Sequence, residues 1–181
     1  VEPELPTAAP LVLSAVFDGP LSGGVPKGIE LYVAQDIADL SVCGVGSANN
    51  GNGSSGEEFV FPSVSANAGE YLYIASESTG FMNFFGFAAD YTSGAMSING
   101  DDAIEVFCNG DRIDLYGETD VDGSGQAWEY ADSFAYRTAG VPDGEFSADD
   151  WMIPGKDTLD GQADNATAVT PIPVGTYSLS P

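Results

Sequence analysis

The sequence predicts an all-β sandwich of about eight to ten short strands joined by long loops. Its apolar runs are short and closely spaced, and none keeps a helical period for more than about two turns. Twenty-three glycines and eleven prolines mark frequent turns between these runs. Hydrophobic residues make up 43% of the 181-residue chain, which is enough to fill a core. We therefore expect one domain over residues 11–181.

The individual strands follow from short runs of apolar and β-branched residues. Residues 11–17, which are apolar except for Ser14, predict the first strand, and Ile29, Leu31 and Val33 alternate so that all three lie on one face. A loop rich in glycine and proline separates these two strands. Asn109 and Gly110 predict a tight hairpin turn, because both residues tolerate positive φ angles. Further strands are expected at residues 58–61, 71–75, 103–107, 112–116, 134–136, 151–153 and 176–179.

The connection over residues 76–99 is rich in aromatic side chains, and we expect one short helix within it at residues 79–85. So many aromatic rings in one connection need burial. One interpretation is that they cap an end of the sandwich. The other is that some form an exposed patch that binds a partner protein or a glycan. The residues assigned to that patch are Phe81, Phe84, Phe85 and Phe87.

Two segments are expected at the surface. Residues 48–56 have almost no apolar side chains and predict an exposed, mobile loop. Residues 1–10 contain three prolines and predict an extended arm that does not pair in a central strand. The arm packs on its own domain or donates a strand to another subunit.

The charge of the chain excludes several classes of function. Twenty-eight Asp and Glu residues stand against four Lys and Arg residues, and the net charge is −24. Such a field repels nucleic acid and anionic lipid, so we expect no direct nucleic-acid binding. The sequence has no histidine, which excludes Ser-His-Asp triads and histidine-based zinc sites. The many carboxylates single out no catalytic pair, and we expect no enzyme.

The two cysteines, Cys43 and Cys108, belong to no C-x-x-C motif. We expect one structural disulfide between them, with two buried free thiols as the alternative. Oxidised cysteines and few lysines favour an extracellular or cell-surface location. No apolar run reaches the roughly 18 residues of a membrane span. The first residues lack a signal-peptide pattern and are typical of a mature N terminus.

The best ligand motif in the chain begins at Asp120. Oxygen-bearing side chains stand at its first, third and fifth positions and a glycine at its sixth, which is the spacing of a calcium loop. Its twelfth position is Ala131 instead of glutamate, so Glu129 or Asp132 would have to replace that ligand. A plain acidic turn is the alternative. The predicted calcium ligands are Asp120, Asp122, Ser124, Gln126 and Glu129.

Other polar features carry less information. Asn52 and Asn165 each begin a sequence that matches the N-glycosylation pattern. The acidic residues between positions 143 and 160 predict a solvated face. They are Asp143, Glu145, Asp149, Asp150, Asp157 and Asp160.

Several short motifs, taken in their order along the chain, resemble a lamin-tail domain. They are Glu30-Leu31-Tyr32, Asp39-Leu40-Ser41, residues 68–73, residues 100–107, Asp114 after the hairpin turn, and Asp164-Asn165. Val33 stands where the family usually has asparagine. The resemblance implies an immunoglobulin-like β-sandwich, as found at the tails of nuclear lamins and in secreted marine bacterial proteins, including extracellular nucleases. It also implies a module without catalytic activity of its own.

Two functions remain open at this point. The first is a module of cell-surface or extracellular assembly or adhesion, stabilised by calcium or salt, whose partner is another copy or a different cell-surface protein. The second is a module that targets or positions a secreted nuclease or phosphatase.

Overall fold

The computed structural model describes residues 9–179 and contains two β-sheets that pack face to face. The predicted all-β sandwich is therefore confirmed. Apart from Ala9 and Pro10, the arm expected over residues 1–10 lies outside the described residues. None of the described helices is long and apolar enough to cross a membrane.

Ten strands and one α-helix make up the described fold. The six-stranded sheet has the order β10-β9-β1-β2-β5-β6, and the four-stranded sheet has the order β4-β3-β7-β8. Neighbouring strands are antiparallel except β5 and β6, which are parallel. In chain order the elements are β1 (Leu11–Leu21), β2 (Val25–Val33), β3 (Cys43–Ala48), β4 (Phe59–Val60), β5 (Tyr71–Ala75), α1 (Ser78–Phe85), β6 (Tyr91–Thr92), β7 (Ala103–Cys108), β8 (Asp111–Tyr116), β9 (Ser133–Arg137) and β10 (Trp151–Met152).

The six-stranded sheet is buried on both of its faces. Ile29, Leu31 and Val33 of β2 share the core between the two sheets, as their alternation predicts. Apolar residues of β1 reach both faces of the sheet because successive side chains alternate, and a bulge between Leu13 and Ala15 shifts this alternation by one residue. The nearly continuous apolar run in β1 is explained by this double burial.

Helix α1 covers part of the outer face of the six-stranded sheet. The Glu77 carboxylate caps its N terminus by accepting a hydrogen bond from the backbone N–H of Gly80 at 2.8 Å. Phe81 and Phe84 are buried beneath the helix, whereas Phe85 and Phe87 are partly buried at its margin. Phe81 and Phe84 are therefore core residues and not part of an exposed patch, because the outer face of the sheet is itself apolar.

Residues 171–179, the C-terminal strap, cover the rest of that outer face. We predicted a strand at residues 176–179, but these residues join neither sheet. Side chains hold the strap instead: the Tyr71 hydroxyl donates to the Tyr177 carbonyl, and the hydroxyls of Tyr136 and Thr176 are 2.9 Å apart. Ile172 and Tyr177 are buried in the outer core. The missing strand is explained by this anchoring through side chains.

The disulfide between Cys43 and Cys108 is present, and it joins residues that face each other in β3 and β7. The hairpin turn is also confirmed, with positive φ angles of 54° at Asn109 and 83° at Gly110.

The polar loop at residues 48–56 is anchored more firmly than its composition suggests. Two of its backbone N–H groups donate to the Asp102 carboxylate and to the Thr119 carbonyl.

Candidate functional site

The loop that we predicted to bind calcium is a series of turns closed by its own carboxylates. Asp122 accepts a hydrogen bond from the Ser124 N–H at 2.9 Å, and Glu129 accepts one from the Gly125 N–H at 2.8 Å. These bonds occupy one oxygen of each carboxylate and leave the other oxygen available. The exposed side chains of Asp120 and Gln126 complete the predicted set. Calcium binding by this loop stays a prediction.

Asp101 lies directly beside this loop. Its carbonyl oxygen accepts a hydrogen bond from the Gly123 N–H at 3.0 Å. Its Oδ1 atom is buried and has no hydrogen-bond partner among residues 9–179. Burial, followed by the negative charges of Asp102 and Asp122, raises the pKa of the Asp101 carboxyl. A bound cation would neutralise the Asp101 carboxylate and would give its Oδ1 atom the contact that it lacks. It would thereby offset both the cost of burying the charge and the cost of leaving that oxygen unpaired.

A second acidic group was not predicted as a ligand set. Within the described part of the chain, a single group of three carboxylates has ligand oxygens all within 4.8 Å of one another: Asp132, Asp157 and Asp160. We call it the acidic triad. Clustered carboxylate oxygens are the ligands that calcium prefers. The triad therefore fits a hard cation in its donor atoms, although such groups are also common on acidic surfaces.

The backbone explains how two distant segments form the acidic triad. The Ala131 carbonyl accepts from the Asp157 N–H at 2.8 Å, and the Asp132 carbonyl accepts from the Leu159 N–H at 2.9 Å. Leu159 is buried in the outer core and fixes the turn. Burial raises the pKa of Asp132, and the charges of Asp160 and Asp157 raise it further. No spacing rule in the sequence links these two segments. The acidity of residues 143–160 was therefore the only sequence feature that pointed toward the triad.

The buried acidic residues form a different population, because each accepts hydrogen bonds from other parts of the fold. Glu30 is fully buried in β2 and accepts from the Ser14 hydroxyl, the Tyr73 hydroxyl and the Gly175 N–H at 2.6–2.8 Å. Burial raises the pKa of Glu30, and these donors oppose the increase. Glu30 thereby attaches the C-terminal strap to the middle of the sheet.

Asp114 and Arg137 form a buried ion pair between the two sheets. Their side chains are 0% and 3% exposed, and the shortest N–O distance between them is 2.5 Å. Asp114 also accepts from the N–H groups of Leu13 and Leu115, while Arg137 donates to the Leu13 carbonyl. Burial raises the pKa of Asp114 to about 6, against the lowering effect of the guanidinium. This pair fastens β8 to β1 and β9.

One cleft of the described structure is open and acidic. It has a volume of about 420 Å³, and Arg112 in its wall is already engaged by Glu105, Glu145 and the Gly144 carbonyl. Its guanidinium therefore has little capacity left for an anionic ligand. The residues that line the cleft are Arg112, Leu115, Gly117, Glu118, Thr119, Asp120, Val121, Glu145 and Phe146.

The two glycosylation sequences differ in accessibility. Asn52 is exposed on the anchored polar loop. Asn165 is half-buried, and its side-chain amide donates to the Ile172 carbonyl and accepts from the Ile172 N–H at 2.9 and 2.8 Å. Asn165 therefore holds the start of the C-terminal strap in place.

Comparisons with known proteins do not identify a family for the chain. No protein-family model, no curated protein and no solved structure matches it. The likeness to lamin-tail domains consequently rests on the sequence motifs alone.

Proposed function

We propose that the chain is a non-catalytic extracellular module of cell-surface assembly or adhesion, with an immunoglobulin-like β-sandwich stabilised by cations. One observation carries the proposal: the acidic residues fall into two populations with different surroundings. The buried ones, such as Glu30 and Asp114, accept hydrogen bonds that fasten one element to another. The exposed ones cover the surface and include most of the predicted calcium loop.

This division favours a structural role for the carboxylates. A catalytic acid or base needs a carboxyl group that is free to exchange its proton with a substrate. Glu30 and Asp114 have their oxygens engaged by donors of the fold, and the acidic cleft around Arg112 repels anionic substrates. A disulfide and a strongly acidic surface suit an oxidising, ion-rich exterior.

The exposed acidic residues, together with Asp101, support the proposed cation binding. The acidic triad and the Asp101 carboxylate, whose Oδ1 atom has no hydrogen-bond partner among the described residues, each place negative charge at a fixed position. A divalent cation that binds the folded chain stabilises it by mass action, and it also reduces repulsion within a chain of net charge −24. Neutralised surfaces of two copies can then approach each other, which links cation binding to assembly.

Thermal unfolding and light scattering, each with calcium and with chelator, test the proposal. We expect calcium to raise the melting temperature and to increase the mass of the particles. A D120N/D122N variant and a D157N/D160N variant locate the effect, and D143N/D149N serves as the matched control on the same acidic surface. A parent protein that melts at the same temperature and stays monomeric in both solutions would refute cation-dependent assembly.

A further inference from the structure

Lys27 brings together groups from the β1–β2 ladder and from the segment that leads into β7. Its Nζ atom lies 2.8 Å from Oδ1 of Asp18, 2.6 Å from the Ile98 carbonyl oxygen and 3.2 Å from Oδ1 of Asn99. Lys27 belongs to β2 of the six-stranded sheet, whereas Asn99 precedes β7 of the four-stranded sheet. A primary amine of the six-stranded sheet and a primary carboxamide of the connection into the four-stranded sheet are therefore in contact.

A buried carboxylate lies against the same amine. Asp18 and Lys27 are direct partners across the β1–β2 ladder, and the Asp18 side chain is only 7% exposed. The second oxygen of Asp18 accepts a hydrogen bond from the Asp132 N–H at 3.3 Å, which fixes the orientation of the carboxylate. A proton acceptor is thus held at hydrogen-bond distance from Nζ.

The backbone around Asn99 is equally well fixed. The Asn99 N–H donates to Asp102 at 3.0 Å, and the Gly100 carbonyl accepts from the Tyr130 N–H at 2.7 Å. Gly100 has a φ of 82°, and a Cβ atom there would lie 2.2 Å from the Cα atom of Ala131. The close contact at Gly100 and these hydrogen bonds therefore fix the backbone at Asn99 relative to Lys27, while the Asn99 side chain is exposed.

We propose that Lys27 and Asn99 form an intramolecular isopeptide bond, with Asp18 transferring the protons. Asp18 takes a proton from the Lys27 ammonium, and the neutral amine attacks Cγ of Asn99 to form a C–N bond. Asp18 then delivers a proton to the amide nitrogen of Asn99, and the bond between Cγ and that nitrogen breaks to release ammonia. The ammonia takes the remaining extra proton from the attacking nitrogen. Overall, an ammonium group and a carboxamide become a secondary amide and a free ammonium ion, with no oxidant or external reagent.

The fixed geometry is what makes this reaction feasible. An unactivated carboxamide reacts slowly with an amine in water, but groups held in contact gain effective molarities of about 10⁵ M or more. Because the three groups come from β1, β2 and the segment before β7, they meet only in the folded chain. The bond would join β2 to the segment that leads into β7, whereas the disulfide joins neighbouring strands of one sheet.

The intact mass of the purified, folded protein tests the proposal. We expect the chain to be lighter than its disulfide-bonded sequence by one ammonia, and proteolysis to release a branched peptide that contains Lys27 and Asn99. K27R keeps the positive charge but forms no such amide, so it should show the full mass, as should N99A. D18N should leave most molecules without the cross-link, and K156R, at the exposed lysine, should match the parent.

Two results would overturn the proposal. A parent protein of full mass, with its circular dichroism typical of a folded β-protein, would show that Lys27 only forms an ion pair. An ammonia loss that persists in K27R would instead indicate a succinimide at the Asn99-Gly100 sequence, which releases the same mass. Because the measurement on the parent needs no variant, the test holds even if a substituted chain fails to fold.

Discussion

Replacing Asp114 by alanine should destabilise the protein by about 4 kcal/mol. Removing one partner of a buried ion pair costs about 3–5 kcal/mol, because the other charge stays buried and unpaired. Here the unpaired group is Arg137, which is 3% exposed. The substitution also removes the acceptor for the N–H groups of Leu13 and Leu115, each worth about 1–3 kcal/mol if left unsatisfied. Some relaxation and water entry offset these costs, so their full sum is not expected.

Urea unfolding at pH 7 measures this loss, and a double-mutant cycle identifies its source. Combining Asp114→Ala with Arg137→Met removes both charges, so the double variant should be about 2 kcal/mol more stable than the sum of the two single effects predicts. Asp111→Ala, at the exposed start of the same strand, is the control and should change stability by no more than about 0.5 kcal/mol. A loss of stability below about 1 kcal/mol for Asp114→Ala, or additive effects in the cycle, would refute the conclusion that this ion pair holds the two sheets together.

Three further predictions concern covalent, steric and protonation effects. Reducing Cys43–Cys108, which are 65 residues apart, should lower the free energy of unfolding by roughly 4 kcal/mol in urea titrations with and without reductant. Gly100→Ala should cost more than about 3 kcal/mol by the same assay, whereas Gly125→Ala, with a similar positive φ but open space around it, should cost about 1 kcal/mol. Because the folded pKa of Asp114 is raised from 3.8 to about 6, this group stabilises the fold at low pH and loses that contribution as the pH rises from about 4 to 6. The urea midpoint of the parent should therefore decline over this range by more than that of Asp114→Asn.

Each of these three predictions has a distinct contrary result. Equal midpoints for the oxidised and reduced protein would mean that the unfolded chain is already restricted without the disulfide. Equal losses for the two glycine variants would show that backbone strain, and not the close contact at residue 100, determines the cost. If the urea midpoints of the parent and of the Asp114→Asn variant declined equally with pH, the group with the raised pKa would not be Asp114.

Most strands could be predicted from the sequence because their signals are local. The alternation of Ile29, Leu31 and Val33 and the turn at Asn109-Gly110 depend only on neighbouring residues. The expected strand at residues 176–179 failed for a physical reason. Its apolar pattern fits a strand, but the side chains of Tyr71 and Tyr136 hold this segment against the face of the sheet and not at its edge.

The candidate sites were harder to predict than the strands. The calcium loop has a spacing rule, whereas the acidic triad joins Asp132 to a turn about 25 residues later through backbone hydrogen bonds that no pattern specifies. The contact between Lys27 and Asn99 likewise depends on how the two sheets are stacked. Sequence patterns report on neighbours along the chain, so contacts between layers require the tertiary structure.

The attachment of the C-terminal strap has a mechanical consequence. A pull on residue 179 away from the sheet loads the contacts at Tyr177, Thr176 and Gly175 one after another, because no ladder distributes the tension. Strand β1 is bonded on both sides, to β2 and β9, so a pull along its axis loads many hydrogen bonds at once. The strap should therefore peel first and release a segment whose fully extended length is roughly 30 Å, at about 3.3 Å per residue, while the sandwich stays intact.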